Sequence, residues 1–249
     1  MGELVEPLND GGAASLEEKV DALRSPRTYD EQPRYIKAIE THYAWVFLAD
    51  DYAYKLKKPM RMAYLDLSEL AARERNCAEE LRLNRRLAPD VYLEIAALTR
   101  PADGAIHVGG PGIVLDWLVK MRRLPSALML DCATVSGTID EQALAAVGVI
   151  LARFYQTQQR IEFAPRAYLA RLSSQIRTDR TELLSPDLNI EPGLVESIAE
   201  AQSSACARLE QELMQRAQQK RIVEAHGDLR PEHIDRKSTR LNSSHPYRS

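Results

Sequence analysis

Residues 226–234 read His226-Gly227-Asp228-Leu229-Arg230-Pro231-Glu232-His233-Ile234. An Asp two residues after a His, with a metal-ligand side chain five residues further on, is a spacing that suits phosphoryl transfer. The Asp accepts a proton from an attacking hydroxyl or orients it, and the later residue holds a metal ion that neutralises the moving phosphoryl group. Asp228 is therefore the candidate catalytic residue, and His226 is expected to brace the loop backbone. His233 takes the metal position with an imidazole, although Mg2+ prefers oxygen ligands. It is expected to bind metal weakly, through water, or not at all. A His-Gly-Asp triplet alone says little; Leu229, the spacing to residue 233 and the Ile234 that follows make it specific.

Phosphoryl transfer asks the protein for positioning and positive charge more than for covalent work. Two further elements should then lie upstream, a strand lysine and a helical carboxylate that anchors it. Tyr52-Ala53-Tyr54-Lys55-Leu56-Lys57 alternates as a strand does, placing Ala53 and Lys55 on one face. A small Ala53 leaves room for an adenine ring, and Lys55 can reach the α- and β-phosphates. Lys57 shares that face further along, and Lys58 points the opposite way. Solvated lysines on an edge strand are the plain alternative.

Ser68 suits the N-cap of a helix running to about Leu87, with Glu69 in its first turn. That helix offers Glu79 and Glu80. Glu80 lies near the stripe through Cys77, Leu81 and Asn84, whereas Glu79 leans toward solvent, so Glu80 is the expected partner of Lys55. A helical Glu is more often only a surface residue. No glycine-rich loop precedes the strand. The hairpin position reads Glu40-Thr41-His42-Tyr43-Ala44-Trp45, where the Thr41 hydroxyl and the amides of residues 41–44 can cradle phosphate or simply form a hairpin.

Outward from these motifs the chain reads as α+β. Ser15 caps a helix over 16–24, and Pro26 and Pro33 bracket a loop. Strand signals cover 35–39, 45–48 and 52–57, with Asp50-Asp51 as a turn. A second β block covers 92–98, 105–108 and 113–121. Beyond Pro125 helices dominate. Thr138 and Glu141 form a capping-box pattern leading to Leu144, Val147, Gly148, Leu151 and Tyr155. A third helix carries Tyr168, Leu172, Ile176 and Leu183. A fourth begins near Pro192 and carries Ile198, Ala205, Leu209 and Leu213. Ile222-Val223 is a short β-rich segment before the motif. The expected organisation is a flexible 1–14, a β-rich lobe over 15–121 with one helix at 68–87, a helical lobe over 122–234, and a tail over 235–249.

With 45% apolar and 28% charged residues and a net charge of −3, the chain fits a folded globular protein. It carries no electrostatic footprint for nucleic acid. No apolar run is long enough for a bilayer, and no signal-peptide order opens the chain. Cys77, Cys132 and Cys206 are sparse and odd in number, as expected for reduced thiols in a cytoplasmic protein.

Taken in order, Glu40-Thr41-His42 through Leu48, Tyr52 through Pro59, Glu80 through Pro89, Val119 through Pro125 and His226 through Ile234 resemble the bacterial aminoglycoside-phosphotransferase-like family. The likeness is to an uncharacterised branch sometimes fused to a P-loop ATPase, and it covers about residues 15–234. It implies a bilobal protein-kinase-like fold, ATP and Mg2+ as cofactors, and phosphate transfer to a hydroxyl on a small-molecule substrate. It also implies Lys55 on phosphate, Glu80 as its anchor, Asp228 as catalytic group and His233 at a metal position. Backbone around Met121, Arg122 and Arg123 would meet adenine as a hinge. The acceptor is not implied. A non-catalytic, pseudokinase-like nucleotide-binding module that regulates a partner ATPase is the alternative. Relatives of this kind continue past the motif with a second metal-binding Asp. Residues 235–249 have no apolar period and no strand signal, and they resemble translated adapter sequence. They are expected to be disordered, and this copy to be truncated and of very low activity.

Overall fold

The computed structural model describes residues 14–62, 65–102, 104–226, 229–235 and 240–241. Asp228 and Gly227 lie outside the described residues, as do residues 1–13 and 242–249.

The larger compact unit holds α1 (Leu16–Leu23), β1 (Ile36–Glu40), β2 (Ala44–Ala49), β3 (Tyr52–Lys57) and α2 (Leu70–Arg85). It continues with β4 (Tyr92–Arg100), β5 (His107–Val108), β6 (Ile113–Arg122), α3 (Leu130–Val135) and most of α4 (Glu141–Thr157). The described residues from His226 onward return to it, with β7 (Ile234–Asp235) and β8 (Arg240–Leu241). The first six strands form one antiparallel sheet in the order β1-β2-β3-β6-β4-β5.

Strand periodicity divides this sheet between two cores. Val46, Leu48, Ala53, Val119 and Met121 pack with Cys77 of α2 on one face. Phe47, Tyr54, Leu56, Leu98 and Leu118 pack with Val20 and Leu23 of α1 on the other. Both faces of β2 are covered, which is why its sequence is a continuous apolar run rather than an alternating one. β3 lies between β2 and β6, so its lysines do not stand on an edge.

The second unit, Tyr155–Ala225, is helical. It contains α5 (Pro165–Leu183), α6 (Pro192–Arg208) and α7 (Glu210–Gln218), with α5 packed against both of the others. Val195, Ala199 and Ala217 are its buried apolar residues among those described.

Several expectations change. The chain divides into its two compact units within α4 and before His226. The reason is a small core in which Leu87 packs with Leu130, Val147, Ile150, Leu151, Leu229 and Ile234, tying the start of the helical region to the sheet-bearing unit. Ser68 does not cap α2. Its hydroxyl meets Asp66 Oδ1 at 2.5 Å, and Glu69 takes the N-cap position without a side-chain hydrogen bond. At the head of α4, Asp140 Oδ1 accepts from the Gln142 amide at 2.8 Å. Thr138 instead meets Ser136, Oγ1 to Oγ at 2.8 Å. The fourth expected helix breaks at Leu209, whose backbone leaves helical geometry at φ −97° and ψ 12°. Val223 makes only an isolated bridge, to Arg160. In the tail, Asp235 pairs with Arg240 and Ile234 with Leu241, where no strand was expected. Among the described residues, no helix is long and apolar enough to cross a membrane.

Candidate functional site

The strongest constellation lies where β3 meets α2. Lys55 stands opposite Val46 on β2 and Val119 on β6. Its aliphatic stem thus lies between two β-branched residues and its ammonium extends toward α2. Lys55 Nζ donates to Glu80 Oε1 at 2.9 Å. Lys57, two residues along the same face, donates to Glu80 Oε2. The side chains of Lys55, Lys57 and Glu80 are 17%, 9% and 12% exposed, which is little for three charged groups. Burial alone would raise the Glu80 pKa, but Lys55 and Lys57 outweigh it and hold the carboxyl well below the usual range. Glu79 points away and pairs with Arg82 on the exposed side of the helix. Burial pushes the nearby Cys77 thiol up to about 12, so it adds no charge.

Ala53 lies opposite Leu48 and Met121 and is buried with both. The Arg122 amide donates to Val91 O and the Arg123 amide to Asp51 O, each at 2.8 Å. The expected hinge amides are therefore spent within the sheet unit, and the Met121 side chain is core. The Thr41 hydroxyl is likewise committed. It donates to Ala44 O at 2.8 Å and accepts from the Ala44 amide at 3.0 Å, while the Thr41 amide also reaches Ala44 O. Two of the four amides expected to cradle phosphate thus close the hairpin turn instead.

His233 is fully buried in a short 3-10 turn over Pro231–His233. Its ring lies 5.9 Å from that of His226, and its Nε2 lies 3.4 Å from an Arg230 guanidinium nitrogen. A divalent cation at that nitrogen would face a fixed positive charge and a nitrogen ligand it does not prefer. His233 as placed does not fit Mg2+. Among the described residues no three His, Cys, Asp or Glu side chains gather as a metal site. Asp228, the catalytic candidate, lies outside the described residues.

One buried cluster had no place in the expectations. Asp116 on β6 accepts from Lys19 Nζ at 2.9 Å and from Arg73 Nε at 2.8 Å. Arg73 also donates to the carbonyls of Leu67 and Ser68. An acidic residue inside an apolar strand was the available signal. The cluster joins α1, α2 and the sheet, and thereby fixes α2, which carries Glu80.

No family model matches the chain. It is 39% identical over 145 residues, 57% of its length, to Uncharacterized protein Rv2004c of Mycobacterium tuberculosis. The same identity and span hold for Uncharacterized protein Mb2027c of Mycobacterium bovis. The match spans 27% of these relatives. Among solved structures, WbdD in complex with the kinase inhibitor LY294002 aligns at 12% identity and a TM-score of 0.26, covering 69% of this chain and 46% of that one. The bifunctional kinase-methyltransferase WbdD aligns at 13% and 0.24, covering 72% and 48%. Scores of this size decide nothing about fold.

Proposed function

We propose that the sheet-bearing unit is the nucleotide-binding lobe of a protein-kinase-like phosphotransferase, which moves a phosphoryl group from ATP to a hydroxyl on a small molecule. The Lys55–Glu80 ion pair carries this reading. In protein kinases a lysine on the third strand pairs with a glutamate on the next helix, and the pair must be formed for phosphate to be held productively. Here the lysine is on the third strand, the glutamate is on the helix that follows, and both are largely buried. Lys55 would hold phosphate oxygens, Glu80 would keep its ammonium extended, and the small Ala53 would leave space for the base. Asp228 would orient the acceptor hydroxyl. Mg2+ would supply charge neutralisation on the phosphates, but His233 is not its ligand in this arrangement, and no step is assigned to it.

The His233–Arg230 contact favours a second reading, in which the unit binds nucleotide without transferring phosphate and regulates a partner such as a P-loop ATPase. Phosphate release from ATP, measured for the wild type and Asp228→Ala, separates the two. A loss of about 100-fold or more supports transfer, equal rates support the binding module, and failure of both proteins to bind ATP overturns both.

A further inference from the structure

We infer that Lys57 is a second phosphate-binding cation, a specificity-determining residue that selects nucleotides by their number of phosphates. This deepens the reading of Lys55 and rests on it. Two ammonium groups converge on the single carboxylate of Glu80, so the cluster carries one excess positive charge with little access to water. An uncompensated buried charge is costly, and an anion docking beside it removes that cost.

The register says where the anion would lie. Lys57 stands opposite Ala44, the first residue of β2 after the hairpin turn, whereas Lys55 stands opposite Val46 further back. The Lys58 amide donates to Tyr43 O at 2.9 Å, which stitches the end of β3 to that turn. The turn itself offers few amides, because those of Thr41 and Ala44 close it upon itself. Positive charge at the hairpin end of the site therefore comes from the Lys57 side chain. Lys58 cannot supply it, since it pairs with Glu40 at 2.5 Å and lies over the Trp45 ring. With Lys55 toward the base and Lys57 toward the hairpin, the two ammoniums line up along the path of a polyphosphate.

Titration of ATP, ADP, AMP and adenosine into the full chain tests this, using the wild type, Lys55→Met, Lys57→Met and Lys57→Arg. One lost charge-assisted contact corresponds to about a tenfold change in affinity. Lys57→Met is expected to weaken ATP about tenfold, ADP less, and adenosine not at all, with Lys57→Arg restoring most of the ATP affinity. A merely structural lysine would weaken all four ligands alike or none; either result overturns the assignment of Lys57 while leaving that of Lys55 intact, provided Lys55→Met still weakens ATP. If the wild type binds none of the four, the reading of Lys55 fails and takes Lys57 with it. Thermal unfolding of each variant identifies a misfolded one, and Lys57→Gln then replaces Lys57→Met.

Discussion

Arg73 on α2 is locked to Asp116 on β6, Nε to Oδ1 at 2.8 Å, with side chains 1% and 0% exposed. Lys19 on α1 closes on the other oxygen of the same carboxylate at 2.9 Å. Removing the carboxylate leaves two cations buried without their counter-charge, which costs far more than the net worth of an ion pair. Asp116→Asn is expected to lose about 3–5 kcal/mol of stability. Urea unfolding followed through Trp45 and Trp117, both in this unit, measures it. A loss below about 1 kcal/mol would mean that the cluster behaves as a surface pair does.

Glu80 gives stability a defined pH dependence. Its carboxyl titrates lower in the fold than its ordinary 4.5, despite burial, because Lys55 and Lys57 favour the anion. A depressed folded value means the unfolded state binds the proton more readily. Its contribution is therefore complete above the ordinary carboxylate range and is lost as pH falls below it toward the depressed folded value. Glu80→Gln is expected to be less stable than wild type by about 3 kcal/mol at neutral pH, with the gap closing progressively below about pH 4.5. Parallel urea titrations at several pH values check the slope. A gap that stays constant through the acid range would show that the carboxylate is not held ionised by the lysines.

Gly112 sits just before β6 with φ +143°, and an added Cβ would come within 2.6 Å of the Arg100 backbone carbonyl. Neither that conformation nor that approach suits an L side chain. Gly112→Ala is expected to destabilise the unit by about 2 kcal/mol, read as a lowered urea midpoint. An unchanged midpoint would mean that this turn rearranges freely.

Much of the sheet was legible because strand period and turn residues mark themselves locally. Tyr52–Lys57 was bounded without error, and the preference for Glu80 over Glu79 followed from the helical stripe through Cys77 and Leu81. What escaped the sequence depends partly on partners distant along the chain and partly on competition between near neighbours. Lys57 looked like a bystander because a pattern shows which face a side chain takes and not how far α2 approaches it. Thr41 looked available because residue types alone do not say whether a short turn closes on itself, as it does here through the Ala44 carbonyl. The Ser68 and Thr138 caps failed through competition, since Asp66 and Ser136 offered closer partners. Nor does any local pattern announce that Leu87, Leu130 and Ile234, widely separated in sequence, share one small core.

Labelling the full chain with an acyl-phosphate derivative of ATP, followed by mass spectrometry, asks whether Lys55 lies against the phosphates of a bound nucleotide. Such a probe acylates fastest a lysine held against the phosphates of a bound nucleotide, where proximity raises its effective concentration. A label on Lys55 is expected, suppressed by excess ATP and weakened by Glu80→Gln. Labelling spread over exposed lysines such as Lys37, indifferent to ATP and leaving Lys55 unmodified, would contradict this expectation.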